Sequence, residues 1–109
     1  MTTSLGQALG RIVHGTKHWT PARLRARHGA EPTKAEVLAQ LVQRLADLTA
    51  EVEAQPRRTV PAPSSDSTLP VQLAVMAADL ERVADRLDEE QRRRVQAAID
   101  EARTRLFDT

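Results

Sequence analysis

The sequence predicts an all-α protein, and three observations carry the prediction. Leu38, Leu41, Leu45, Leu48 and Val52 recur at spacings of 3, 4, 3 and 4, and Leu73, Met76, Leu80, Val83 and Leu87 repeat the pattern. That spacing keeps each set on one stripe of an α-helix. The aromatic residues are Trp19 and Phe107 alone, too few for the faces from which sandwiches and barrels are built. At 109 residues the chain has room for one small domain, or for a short helical assembly with tails.

The elements follow in chain order. Leu5, Leu9, Ile12 and Val13 mark a short amphipathic helix, which Gly6, Gly10 and Gly15 each weaken by roughly 1 kcal/mol relative to Ala. Thr20 as N-cap, Pro21 at the first helical position and Gly29 beyond the end delimit a second short helix over 21–28. Residues 1–31 therefore read as a basic, partly ordered arm of short helices. A long helix spans about 33–54. Thr33 and Glu36 have capping-box spacing, Pro32 bars entry from upstream and Pro56 stops the helix. Val37 and Val42 widen its stripe.

Residues 55–69, QPRRTVPAPSSDSTL, read as a Pro/Ser-rich flexible linker, long for a connection inside a small domain. Beyond it, Leu73 to Leu87 form one stripe, and Val95, Ile99, Ala102 and Leu106 form another at spacings of 4, 3 and 4. Asp88 with Gln91 marks a fresh helix start, which makes residues 70–109 a helical hairpin. Asp88–Arg92, Glu89–Arg93, Glu90–Arg94 and Glu101–Arg105 are spaced to support that helix, each pair at about 0.3–0.5 kcal/mol. One long helix is the alternative, because no Gly or Pro lies between Leu87 and Val95.

The net charge of +1 hides a split. Arg11, Lys17, Arg23, Arg25, Arg27 and Lys34 face Glu31 alone in the first 34 residues, while Glu36, Asp47, Glu51 and Glu53 face Arg44 in the long helix. The chain thus has a basic head and mildly acidic helices.

Several function classes lack their chemistry. Without Cys there is no disulfide, zinc–thiolate site, iron–sulfur cluster or thiol nucleophile. Four Gly leave no phosphate-cradling loop. No apolar run approaches the ~18 residues of a membrane span, and no apolar signal core opens the chain, so no membrane role and a cytoplasmic location are expected. His14 and His18 have the i, i+4 spacing of metal ligands, but Gly15 and Lys17 interrupt them and no carboxylate is near, so they read as surface histidines. The carboxylates from Asp79 to Glu90 alternate with arginines as on a solvated helix face. Ser4, Ser64, Ser65 and Ser67 have no patterned histidine to activate them. No catalytic, cofactor-binding or metal-binding residue is expected, nor a small-molecule substrate.

What remains is binding. Leu38, Leu41, Leu45, Leu48, Val52, Leu73, Met76, Leu80, Val83, Leu87, Val95, Ile99 and Leu106 are the expected helix interface, packed within or between chains in coiled-coil fashion. Apolar stripes need cover beyond their own helix, so a homo-oligomer or a helical protein partner is expected and the function is that of an adaptor or scaffold. Arg11, Lys17, Trp19, Arg23, Arg25 and Arg27 are the expected contacts for an acidic partner or nucleic acid. A helix-turn-helix-like unit over 20–48 in a small DNA-associated regulator is the alternative. Two features oppose it: Arg25 stands where a small residue is usual, and the second helix is acidic.

Overall fold

In the computed structural model, which describes residues 4–27 and 29–107, Ser4 opens the first helix, α1 (Leu5–Thr16). The Gln7 N–H donates to Ser4 Oγ at 3.1 Å, and the Ser4 N–H donates to Gln7 Oε1 at 3.4 Å. These satisfy donors that a helix start otherwise leaves unpaired. The next helix, α2 (Pro21–Leu24), is a single turn capped by Thr20, whose hydroxyl accepts from the Arg23 N–H at 3.2 Å. It is shorter than the expected 21–28. The Ala26 carbonyl accepts from the Lys34 N–H at 3.1 Å, so the chain leaves the helix to cap the next one. Gly29, at φ +55°, makes the turn.

Helix α3 (Lys34–Val52) begins with the expected Thr33–Glu36 capping box. It closes with paired bonds, Gln55 N–H to the Ala50 carbonyl at 2.8 Å and Ala54 N–H to the Glu51 carbonyl at 3.2 Å. This Schellman closure puts Ala54 in the left-handed region at φ +55°. An irregular segment follows, then a 3-10 turn over Asp66–Thr68 that leads into α4 (Leu69–Arg82).

The C-terminal region is a hairpin rather than one rod. After α4 a 3-10 turn over Ala84–Arg86 reverses the chain, and α5 (Glu89–Phe107) starts afresh. Asp88 supplies the new cap: its carboxylate accepts from the Gln91 N–H at 2.7 Å, and its own N–H donates to Gln91 Oε1 at 2.9 Å. Of the four expected pairs, Glu90–Arg94 and Glu101–Arg105 form, at 3.9 and 3.4 Å. The Asp88 carboxylate is occupied by its cap, and Arg92 donates instead to the Ala84 carbonyl at 2.9 Å.

All the described regular structure is helical. Helix α3 packs on both α4 and α5, and α1 packs on α4 and more lightly on α5. The Cα radius of gyration is 13.6 Å, close to the ~13 Å expected of a 100-residue domain. Leu38, Leu41, Leu45, Leu73, Leu80, Val95, Ile99 and Leu106 are nearly inaccessible to solvent, Leu48, Val83 and Leu87 are buried, and Val52 and Met76 pack half-buried against them. The stripes therefore cover one another within one chain.

The N-terminal segment differs from a docking arm. Its short helices lie near the expected places, but Ala8, Leu9, Ile12 and Leu24 are buried in the same core. Burying one large aliphatic side chain gains roughly 1.5–3 kcal/mol, more than one helical Gly costs. Gly6 and Gly15 also lie at contacts: a Cβ at Gly6 would meet the Glu81 carboxylate, and one at Gly15 would come within 3.1 Å of the Phe107 ring.

Candidate interaction surfaces

Three surfaces carry chemistry beyond the core. The first is the basic end around Trp19. The Trp19 ring meets Phe107 edge-on with centroids 5.6 Å apart, and the Arg23 guanidinium lies 4.5 Å from its centre. The Lys34 ammonium is 5.7 Å from the same ring and donates to the carbonyls of Arg105 and Leu106 at 3.2 and 2.8 Å. Lys34 thus closes the C-terminal end of α5 with a positive charge, the favourable sign there. Partial burial lowers its pKa from the usual lysine value, and the neighbouring Arg23 adds to the effect. Trp19 is a half-buried clasp joining the α1–α2 connection to α3 and α5.

Of the other expected contacts, Arg11, Lys17, Arg25 and Arg27 are exposed. His14 and His18 are exposed as well, and among the described residues no three His, Cys, Asp or Glu side chains come together around a metal-sized space. The helix-turn-helix arrangement meets two physical obstacles. Its first helix is one turn long, and α3 is held between α4 and α5 with Glu36, Gln40, Arg44 and Glu51 on its open side.

The second surface is a groove of about 350 Å³ between α3 and α5, with Leu45, Leu48, Val95 and Ala98 on its floor. Arg44 bonds Glu101 at 3.0 Å across it, and Arg94 bonds Glu51 at 2.8 Å. The Arg94 guanidinium holds the Glu51 carboxyl below its usual pKa, and Arg44 does the same for Glu101. These exposed pairs fix the register of two helices and leave the groove with no dominant sign of charge.

The third surface is the outer face of α4. Val71 and Val75, one helical turn apart, are 63% and 51% exposed, and Ala74 and Ala78 on the same face are exposed too. They belong to a twelve-residue stretch, Ser67–Ala78, without a charged side chain, in a chain of which 28% is charged. Phe107, at 39%, is the other exposed large apolar residue among those described, and its ring is engaged by Trp19. Sequence periodicity passed over this face because its valines fall off the 3-4 stripe. The missing charge between Asp66 and Asp79 is the signal that marks it.

No family model matches the chain, and no curated protein or solved structure matches it either. Among the described residues no helix is long and apolar enough to cross a membrane.

Proposed function

We propose that this chain is a non-enzymatic helical interaction module of the cytoplasm that docks a helical or apolar protein surface on the outer face of α4. The observation that carries the reading is the uncharged, valine-bearing α4 surface, left open although the stripe residues expected to bind are buried in the chain's own core, or, for Val52 and Met76, half-buried against it. Contiguous apolar surface rimmed by polar residues is a recurrent mark of protein interfaces. The expected helix interface thus serves folding, and docking falls to a face the stripes do not include.

Affinity capture from the native host tests this, using the full chain beside a Val71→Glu, Val75→Glu variant. Both positions are open to solvent, so the variant keeps its helicity and thermal midpoint. The wild-type chain retains proteins that the variant loses. Identical captured sets would reject the reading.

A second reading, contact with nucleic acid, draws on the exposed Lys17, Arg25 and Arg27. It is separable, because phosphate contacts weaken steeply with added salt and disappear when these residues become Ala. Docking on α4 responds to neither change.

A further inference from the structure

Contacts at the two ends of the bundle fix the helix directions. Gly15 lies against Phe107 and Lys34 bonds the Leu106 carbonyl, so α1 and α5 finish where α3 begins. At the far end Gly6 lies against Glu81, and Arg86 bonds the Val52 carbonyl. Helix α2 touches both α3 and the Asp66–Thr68 turn, which places it at the first end. Lys17, Arg23, Arg25, Arg27 and Lys34 therefore gather there, while Asp79, Glu81, Asp85, Asp88 and Glu89 stand at the other end beside Arg82 and Arg86. Of the described acids at the basic end, Glu31 is bonded by Arg105 at 3.5 Å and Glu36 by the Thr33 N–H at 3.3 Å. Asp66 is left to answer the gathered cations. Arg23 and Lys34 both lie over the Trp19 ring, 4.5 and 5.7 Å from its centre. Arg23 has no carboxylate partner among the described residues. The two carbonyl bonds of Lys34 leave it one ammonium proton to donate. One aromatic ring thus holds two like charges close together, with no described anion to neutralise them.

Resting on the nucleic-acid reading, we propose that this end binds the phosphate backbone of a nucleic-acid duplex, with Arg23 and Lys34 as the central contacts and Lys17, Arg25 and Arg27 flanking them. Charge density favours a duplex over an acidic protein. A duplex carries one negative charge per ~1.7 Å of axis, whereas an acidic helix with one carboxylate per turn offers one per ~5.4 Å. The state of Trp19 favours a duplex over a single strand. Single strands are held by stacking bases on open aromatic faces. Trp19 is half-buried, with two cations over its ring and Phe107 packed against it, so it positions charge and does not stack a base. Helix α2 is one turn long, too short to lie along a groove. Contacts therefore stay on the backbone, where they set position and carry no sequence preference. The separation of charge between the two ends turns the basic end toward a polyanion during approach.

The test titrates the full chain into a labelled duplex of about 20 base pairs and follows anisotropy between about 50 and 200 mM salt. Duplexes of unrelated sequence bind alike, and with about five phosphates neutralised the log–log salt slope is roughly −4 to −5. Arg23→Gln makes that slope shallower by roughly one unit at unchanged circular dichroism, and Arg23→Lys, which keeps the charge, keeps the slope. Arg23 is the position to vary because Lys34 also closes α5. Trp19, the one Trp of the chain, gives a second readout. Iodide quenches its emission more than caesium does, because the cations gather anions, and bound duplex removes the difference. No duplex binding at about 50 mM salt overturns both this site and the nucleic-acid reading, and leaves docking on α4 untouched. Binding that is lost in the Lys17→Ala, Arg25→Ala, Arg27→Ala variant, yet ignores Arg23→Gln and leaves Trp19 open to iodide, keeps that reading and overturns this site. Tighter binding of a single strand, or equal binding of polyglutamate, overturns the choice of a duplex.

Discussion

Ala54 holds a backbone conformation that suits glycine. At φ +55° its Cβ crowds the backbone, a cost Gly does not carry. The position is fixed by the two closing bonds of α3, from the Ala54 and Gln55 N–H groups, so the chain cannot relax without freeing helix-end carbonyls. Ala54→Gly should therefore stabilise the protein by about 0.5–1 kcal/mol, despite the greater freedom Gly adds to the unfolded chain. Calorimetry should show a thermal midpoint higher by roughly 2–6 °C. An unchanged or lower midpoint would mean that Ala54 is not strained there. Basic side chains do similar closing work by tertiary contact. Arg86 donates to the Val52 carbonyl at 3.1 Å, as Lys34 does at the end of α5. Neither bond is legible in the sequence, because each joins residues dozens of positions apart, whereas the Ser4–Gln7 box is as local as the Thr33–Glu36 box and could have been read.

At the scale of elements, the helices were legible and the connections were not. The stripe from Leu38 to Val52 and the Asp88–Gln91 start appear where spacing and capping place them. Both signals are local, complete within a few residues. The segment after α3 behaves otherwise. Its composition suits a free linker, yet Gln43 grips it from the side of α3. The Gln43 side-chain oxygen accepts from the Val60 N–H at 2.8 Å, and its amide donates to the Arg58 carbonyl at 3.0 Å. Gln72 of α4 donates to the Pro61 carbonyl at 3.1 Å, and Val60 packs half-buried on the core. Two glutamines thus replace the ladder bonds that an extended strand would make, with partners that no periodicity reveals. Gln43→Ala removes both bonds to the backbone at 58 and 60. Trypsin should then cut after Arg57 and Arg58 several-fold faster, and the Val60 amide should exchange faster, while helix content holds. Equal cutting rates would show that the segment is held by Val60 packing alone.

For the whole molecule, the decisive fact is where residues 4–20 go. A chain whose striped helices stayed apart would depend on another molecule for cover, and its N-terminal segment would be free to dock. Here α1 lies against α4 with Leu9 and Ile12 inside the core that α3, α4 and α5 also line. Three glycines make α1 poor as an isolated helix, but most helix stability in a protein comes from burying an apolar face, so tertiary contact overrides propensity. Self-cover also changes what association can mean. Any partner would meet a finished fold at an exposed face and would not be needed to complete the core. Ile12 and Ile99 test this from opposite ends of the chain, since neither is accessible to solvent. Ile12→Ala and Ile99→Ala should each destabilise the monomer by roughly 2–5 kcal/mol, with urea unfolding remaining a single transition of nearly unchanged slope. An arm that docked independently would give a small change for Ile12→Ala, or a separate early transition. Comparable losses from both variants would mark the basic head as part of one cooperative unit.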